Sequence, residues 1–227
     1  FLIFMAIGPR LGWIKSEFKN KFNLIFLFFV SVLLSFFIIK NFDKNYLLNS
    51  ILIGSAFYLF FSTIIDLVSR KNKKLSQNIA HFGFSLLILS ILFNNILSKE
   101  TIINLKVGES YKKNNLEIIF KDLIKENKDN YIAFTGNFLI KDKNIVRILE
   151  PELRVYNQPN IVTSEADIKI TLFKDFFITI NTVQNEDYFN IRYLVKPFML
   201  WIWISVCLIV LGGFIAMINK YNYRQHE

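Results

Sequence analysis

Four long apolar runs restrict the fold of this chain more than any other feature of its sequence. They occupy residues 22–39, 46–65, 79–97 and 197–219. Each is close to the length of about 20 residues that a helix needs to cross a bilayer. The mean hydropathy is +0.36, and 53% of the 227 residues are hydrophobic. We therefore predict an integral membrane α-helical protein, which excludes a free-standing water-soluble enzyme.

The first seven residues form a fifth apolar run that is too short to span a bilayer. It ends at Gly8-Pro9-Arg10, where a proline and a charge stop a helix. We interpret it as the tail of a span whose start is missing, in a piece cut from a longer protein. Residues 1–98 are then a transmembrane region that consists of this tail and three complete helices.

The basic residues beside the apolar runs predict one orientation in the membrane. Segment 9–21 carries four basic residues against one acid, segment 70–74 carries four and no acid, and the tail 220–227 adds Lys220 and Arg224. By the positive-inside rule these segments are cytoplasmic, so residues 99–196 lie outside. We expect a multi-pass membrane protein with this segment on the extracytoplasmic side.

Between the third and the final helix, residues 99–196 change in composition. Short runs of Ile, Val, Tyr, Phe and Thr are separated by Asn, Asp, Lys and Gly, which predicts strands. The predicted strands are 102–107, 116–123, 131–140, 145–149, 153–156, 167–172, 176–182 and 189–195, with one of the turns at 112–115. We predict an inserted extracytoplasmic antiparallel β domain, sandwich or barrel-like.

Few residues of this chain suit catalysis. Because it has one cysteine, Cys207, and two histidines, His81 and His226, an intrachain disulfide, a zinc knuckle and a Cys-x-x-Cys redox pair are excluded. Residues 99–196 contain neither residue type and no Gly-rich phosphate loop, so we assign no catalytic residue. Their 15 basic and 14 acidic residues leave most of the net charge of +9 beside or within the helices. We therefore expect membrane lipid, and no nucleic acid, as a partner.

The densest polar and aromatic patch of the β domain is residues 149–156, Leu-Glu-Pro-Glu-Leu-Arg-Val-Tyr. Its spacing favours an edge strand interrupted by Pro151, with Glu152 and Arg154 on the same strand face. The other interpretation is a binding surface. In either case, we expect the β domain to bind or to position other molecules.

His81 lies near the start of the third complete helix, about a turn beyond the basic segment. An ionisable residue inside a span is costly and usually faces protein. Ser85 shares its helix face, and Gly83 allows another body to approach closely. Two interpretations stay open: an interfacial histidine that hydrogen bonds to headgroups or a carbonyl, and an axial ligand of haem iron. In the second, the other ligand lies outside this chain, because His226 is in a polar tail.

Several short motifs follow one another in a fixed order along this topology. They are Ala80-His81-Phe82-Gly83, Val107-Gly108-Glu109-Ser110, Pro151-Glu152 with Arg154 and Tyr156-Asn157, Ser164-Glu165-Ala166-Asp167-Ile168, Lys196-Pro197-Phe198, Trp201-Ile202-Trp203 and Leu211-Gly212-Gly213. Each is weak alone. Together, over nearly the whole chain, they resemble the C-terminal part of CcmF, the family of cytochrome c-type biogenesis proteins that contributes to the system I haem lyase. Ser164 stands where that family is expected to have threonine, and the hydroxyl is kept.

The resemblance implies a part in the covalent attachment of haem to apocytochrome c. It also implies a multi-pass protein of the bacterial inner (plasma) membrane with the β domain in the periplasm, or a protein of the mitochondrial inner membrane. It implies a membrane b-type haem (haem b) with His81 as an axial iron ligand, so His81 is the one cofactor-binding and metal-binding residue that we assign. The implied partners are the upstream part of the same protein, CcmH/CcmI, the haem chaperone CcmE and apocytochrome c, with the β domain as a docking surface. The fragment alone is not expected to be active, because the tryptophan-rich segment that handles haem belongs to the upstream part.

A function from another class fits the residues as well. The chain could be a non-enzymatic membrane-anchored scaffold or assembly factor with a protein-binding β domain. This alternative predicts a colourless protein, whereas haem ligation predicts a haem spectrum. A transporter fragment is disfavoured, because the broken helices and paired intramembrane charges of a transport site are lacking.

Overall fold

The structure, a computed structural model, describes residues 1–8, 21–40, 46–68, 75–143, 145–183 and 187–225. The chain divides into two compact units. One is helical and combines Phe1–Leu97 with Phe198–Glu227, and the other, Ser98–Pro197, is built of strands. The prediction of membrane helices with an inserted antiparallel β domain is therefore confirmed.

The described residues of the first unit form five helices: α1 (Leu2–Ile7), α2 (Lys21–Ile39), α3 (Tyr46–Val68), α4 (Leu75–Leu97) and α5 (Met199–Gln225). Four of them are long and apolar enough to cross a membrane, over Phe22–Ile39, Leu47–Val68, Leu75–Leu97 and Met199–Tyr221. Helices suit these segments because every backbone N–H and C=O inside hydrocarbon must find a partner within its own element. Helix α4 begins four residues before the predicted start at 79, because polar Ser76, Gln77 and Asn78 continue the helix.

Small polar side chains bring neighbouring helices together. The Ser35 hydroxyl of α2 donates a hydrogen bond to the backbone oxygen of Ser50 in α3, at 2.5 Å, and both residues are buried. The Ser62 hydroxyl of α3 donates to the backbone oxygen of Ala6 in α1, at 3.5 Å. Small residues allow such close approach in membranes, where packing and interhelical hydrogen bonds hold helices together.

In the second unit, the part of the chain that the structure describes contains ten strands. They are β1 (Lys99–Leu105), β2 (Ser110–Lys113), β3 (Leu116–Asn127), β4 (Tyr131–Asp142), β5 (Ile145–Leu149), β6 (Glu152–Tyr156), β7 (Ile161–Glu165), β8 (Asp167–Ile170), β9 (Lys174–Thr182) and β10 (Phe189–Pro197). One sheet has the order β1-β10-β9-β8. The other has the order β2-β3-β4-β6-β7, and β5 also pairs with β4. All the pairings are antiparallel.

The core of the β domain follows the two-residue period of its strands. Ile118 and Phe120 of β3 and Phe138 and Ile140 of β4 are fully buried. They form one cluster with buried residues of the other sheet, which include Ile178 of β9. The rings of Phe120 and Phe138 stack with their centroids 4.4 Å apart. The two sheets therefore face each other across one apolar layer, as in a sandwich.

Two strands and one edge differ from the sequence-based prediction. Strands β2 and β7 are not among the predicted strands, and half of β2 falls in the turn predicted at 112–115. Both consist mainly of polar residues, and their pairing with β3 and β6, respectively, holds them in the sheet. The prediction of an edge strand at Pro151 is wrong, because β6 lies between β4 and β7. Pro151 occupies the break between β5 and β6, where its missing N–H costs no ladder bond, and its oxygen accepts from the Gly136 N–H at 3.0 Å.

Candidate functional site

His81 lies on α4, six residues after the helix begins, and its side chain is half-buried. At about 1.5 Å of rise per residue, the imidazole is about 9 Å along the helix from its first residue. It is the only histidine in the part of the chain that the structure describes, because His226 lies outside the described residues. The apolar stretch of α4 therefore presents a single imidazole.

One face of α4 is packed very tightly against α5. A methyl group at Gly83 would meet backbone and side-chain atoms of Ile209 and Leu208 at 3.0 Å. A methyl group at Gly212 of α5 would lie 2.8 Å from both the Ala80 nitrogen and the Ser76 oxygen. The two glycines thus mark where α4 and α5 cross. Successive residues of a helix are rotated by about 100° around its axis. His81, next to Ala80, is therefore directed away from the centre of this contact.

The other faces of α4 near His81 carry aromatic contacts and the buried hydroxyl of Ser85. Phe82 stacks on Phe60 of α3 with ring centroids 5.2 Å apart, and Phe84 packs with residues of α1 and α3. The hydroxyl of Ser85, on the His81 face, is buried and donates to the Phe82 oxygen of its own helix at 2.8 Å. That hydroxyl is therefore satisfied without the imidazole.

The donor set around His81 fits one side of a haem site. The described residues contain no group of three or more His, Cys, Asp or Glu side chains that could hold a metal ion. A lone, half-buried imidazole with aromatic neighbours can supply one axial ligand to a porphyrin iron, whereas a closed structural metal site needs several ligands.

A second candidate site lies on the outer face of the larger sheet of the β domain. Residues Glu152, Arg154 and Tyr156 alternate outward along β6, and Tyr131 of β4 is the register partner of Tyr156. Nη2 of Arg154 lies 2.8 Å from Oε2 of Glu152, and Cζ of Arg154 lies 5.2 Å from the centroid of the Tyr131 ring. The two tyrosine rings are 5.2 Å apart. We call these four residues the Tyr–Arg–Tyr surface.

The partners of Arg154 keep it charged and hold its position. Side-chain hydrogen bonds with Glu152 and Tyr156 raise the pKa of Arg154 above its ordinary value. About a third of each side chain of the Arg154–Glu152 pair is exposed. The prediction that Glu152 and Arg154 share a strand face is therefore confirmed. The sequence does not single out Tyr131, because only the pairing of β4 with β6 brings it beside Tyr156.

The other motif residues serve the fold around these sites. Gly108 has φ +88° in the turn between β1 and β2, a conformation that favours glycine, and its N–H donates to the Phe120 oxygen at 2.8 Å. The hydroxyl of Ser164 donates to the Ile180 oxygen of the other sheet at 2.8 Å. This bond ties β7 to β9, which explains the need for a hydroxyl at this position.

These features define a class of protein: a multi-pass membrane protein with an antiparallel β sandwich inserted before its last helix. Residues 96–197 match the family described as CcmF C-terminal beta-sandwich. That β domain belongs to this family, and the chain corresponds to the C-terminal part of CcmF.

Similarity to known proteins extends over nearly the whole chain. It is 25% identical to the cytochrome c-type biogenesis protein CcmF of Haemophilus influenzae, and the match covers 99% of this chain and 37% of the relative. It is 23% identical to CcmF of Escherichia coli, covering 99% of this chain and 36% of the relative. A solved structure titled Cytochrome c Heme Lyase CcmF superposes with a TM-score of 0.70 at 18% identity, over 94% of this chain and 37% of that one. The chain thus spans little more than a third of the length of these relatives.

Proposed function

We propose that this chain forms the C-terminal part of a cytochrome c maturation haem lyase and contributes one ligand of a membrane b-type haem. Neutral imidazole of His81 would occupy one axial position of the iron, and the second ligand would come from polypeptide outside this chain. When bound, this haem would supply redox chemistry close to the haem that is being attached. The residues of the chain described here bind and position, and we assign none of them to the bond-forming step.

The observation that carries this proposal is the placement of His81 on α4. At Gly83 and Gly212, α4 and α5 approach so closely that an added methyl group would lie within about 3 Å of the other helix, and this packing positions the helix that carries the imidazole. A histidine inside a span is costly unless a partner satisfies it. The position of His81 on a spanning helix therefore supports its proposed role as a ligand of a membrane cofactor.

Reduced-minus-oxidised spectra of the purified full-length protein test the haem ligand. We expect His81→Ala to lose haem content or to change its absorption. The matched control is Ser85→Ala, on the same helix face, which should keep the haem because the Ser85 hydroxyl bonds to its own helix. Haem content and absorption that are the same in His81→Ala as in the parent protein would reject the assignment. A colourless parent protein would instead favour the scaffold alternative.

We infer that the Tyr–Arg–Tyr surface is the docking site of the β domain. Tyrosine and arginine are enriched among the residues that dominate binding energy at interfaces. Here, the arginine is already held by Glu152 and the tyrosine rings, so little conformational entropy is lost on binding. The partners proposed from the family are CcmH/CcmI, CcmE and apocytochrome c.

Arginine substitutions in the intact protein test this docking site. Arg154→Gln should weaken recovery of the maturation partners by about tenfold or more, as expected for an interface anchor. Arg192→Gln is the matched control, because Arg192 is also ion-paired with a glutamate, Glu100, but lies on the other sheet. Equal recovery with both variants would remove Arg154 from the interface.

We also propose that the β domain lies on the periplasmic side of the inner membrane. The excess of basic residues in 9–21 and 70–74 supports this orientation. Single cysteines introduced by Lys128→Cys and Lys220→Cys, in a Cys207→Ser background, can be labelled in spheroplasts with a membrane-impermeant maleimide. Lys128→Cys should react from outside and Lys220→Cys should not. The reverse pattern contradicts the proposal.

A further inference from the structure

One end of the β domain is joined by the chain to the membrane helices. Strand β1 begins at Lys99, two residues after α4 ends, and β10 ends at Pro197, two residues before α5 begins. In the ladder, Pro197 is the register partner of Lys174, the first residue of β9. The β8–β9 turn, residues 171–174, therefore lies beside the strand that leads into α5. We call this end of the β domain its helix-joined end.

An open cleft of about 390 Å³ lies at the helix-joined end, between the β4–β5 turn and the β8–β9 turn. Three basic residues, Lys143, Arg147 and Lys174, line it together with a single acid, Asp142. Its remaining lining is mostly apolar and includes Ile145, Leu172 and Phe173. The cleft thus combines an excess of positive charge with an apolar rim.

Arg147 is held rigidly in this cleft. Its Cζ atom lies 3.8 Å from the centroid of the Phe176 ring, and Phe176 is buried. Its Nη1 atom is buried, and no described residue accepts a hydrogen bond from it. A buried guanidinium donor without an acceptor is unfavourable. An anion beside the guanidinium would offset this cost, and the guanidinium fork suits the oxygens of a phosphate group.

The apolar rim of the cleft is exposed. Leu172 and Phe173, at the tip of the β8–β9 turn, are each 54% exposed, and Ile145 is 55% exposed. Lys143 lies two residues before Ile145, and Lys174 directly follows Phe173. Apolar and aromatic residues next to lysines are typical of segments at a membrane interface, where the rings enter the headgroup region and the ammonium groups meet phosphates.

From this combination, we propose that the cleft binds the headgroup of an anionic phospholipid. Arg147, Lys143 and Lys174 contact the phosphate, and Leu172 and Phe173 enter the apolar part of the interface. The bilayer is the available source of such a ligand, because the chain leaves this end of the domain directly into spanning helices. The inference is independent of His81 and of the docking surface.

Native mass spectrometry of the detergent-purified chain tests the headgroup site. The chain is exposed to an equal mixture of phosphatidylglycerol and phosphatidylcholine, and the retained lipids are counted. We expect retention of phosphatidylglycerol over phosphatidylcholine, and Lys143→Gln with Lys174→Gln should lower that preference by about tenfold or more, since each basic residue near an anionic surface contributes about a fivefold factor. The matched control is Lys125→Gln with Lys128→Gln, two lysines lost near the β3–β4 turn, which should change nothing.

A spin-label measurement does not depend on whether the lysine variants fold. A nitroxide is attached to Phe173→Cys or, as the control, to Asn157→Cys in the β6–β7 turn, each in a Cys207→Ser background in nanodiscs of phosphatidylglycerol. The label at 173 should be more accessible to oxygen than to a water-soluble nickel complex, and the label at 157 should show the opposite.

Each outcome supports or overturns the proposal. Equal retention of the two lipids by the parent chain, or a label at 173 that only the nickel complex reaches, overturns it. Inorganic phosphate that binds to the lipid-free chain through Lys143 and Lys174, without a preference for phosphatidylglycerol, would identify free phosphate as the ligand and would also overturn the lipid assignment.

Discussion

The contact between α4 and α5 gives a prediction in which two neighbouring glycines serve as test and control. Gly212→Ala places a methyl group 2.8 Å from the nitrogen of Ala80 and the oxygen of Ser76, both backbone atoms that cannot rotate away. Gly213→Ala places its methyl group in open space, because no atom lies within 4 Å. Both substitutions change the helix propensity of α5 equally, so the difference between them isolates the packing of α4 on α5.

The expected magnitude follows from the distances. Non-bonded contacts are favourable at about 3.5–4.0 Å, so α4 and α5 must separate by roughly 0.7–1.2 Å to admit the methyl group of Gly212→Ala. A gap of that size forfeits about a quarter to a half of each contact along the interface, and overpacking of this kind costs about 1–3 kcal/mol. The alanine itself returns at most about 1 kcal/mol of helix propensity in either variant. Gly213→Ala should therefore be more stable than Gly212→Ala by about 1–3 kcal/mol.

Thermal unfolding of the purified protein in detergent, followed by circular dichroism at a helix wavelength, measures this difference. Gly212→Ala should unfold at a lower temperature than the parent protein, and Gly213→Ala should unfold at the parent temperature or above it. Haem content provides a second measurement, because Ala80 precedes His81 and a displaced α4 should weaken cofactor retention only in Gly212→Ala. Two variants with the same unfolding temperature and haem content would refute the close α4–α5 contact.

Three further predictions concern the β domain, each measured by thermal unfolding of the intact chain. Burial raises the pKa of Asp175 above its ordinary 3.8, so the stability gained from protonation in the folded state is fully present below pH 3.8 and is lost as the pH rises. The unfolding temperature of Asp175→Asn relative to the parent should therefore increase from pH 4 to pH 7. A difference that stays constant over this range would contradict the prediction. Burial raises the pKa of Tyr193 from 10.0 to about 12, so the parent should lose stability as the pH rises between those two values. Tyr193→Phe should not show this part of the loss, because it has no hydroxyl to ionise. Phe138→Ala removes a fully buried ring that stacks on Phe120 and should lower the free energy of unfolding by about 3–5 kcal/mol. A decrease below about 1 kcal/mol would contradict the burial of this ring in the core.

The spanning helices could be predicted closely because their signal is local. A run of about 20 apolar residues has few alternatives in a membrane protein, and Phe22–Ile39 fulfils that condition by itself. The first and last residues of these helices are predicted less closely than their apolar centres. Ser76, Gln77 and Asn78 are polar and were left outside the predicted helix, yet they continue α4, because the oxygen of Ser76 and the backbone of Ala80 lie against Gly212 of a helix more than a hundred residues later.

The β domain shows where local patterns stop being informative. Strands with buried alternation, such as β4 and β9, are read from their own residues, whereas β2 and β7 depend on neighbours for pairing. The Tyr–Arg–Tyr surface also depends on strand pairing, so its full set of residues could not be predicted from local patterns. Arg154 and Glu152 are two residues apart and were predicted to share a face, but Tyr131 joins them only through the register between β4 and β6. Arg147 and Phe176 likewise come from different sheets, so their contact has no signature in the sequence.

The first and last strands of the β domain, β1 and β10, are neighbours, with Lys99 opposite Val195. The chain therefore departs and returns at points about 5 Å apart, a gap that a two-residue hairpin turn could close. The β domain is therefore an insertion whose two ends lie side by side. Its length could change without changing the spacing between the ends of α4 and α5, so the β domain could vary while the spanning helices stay the same.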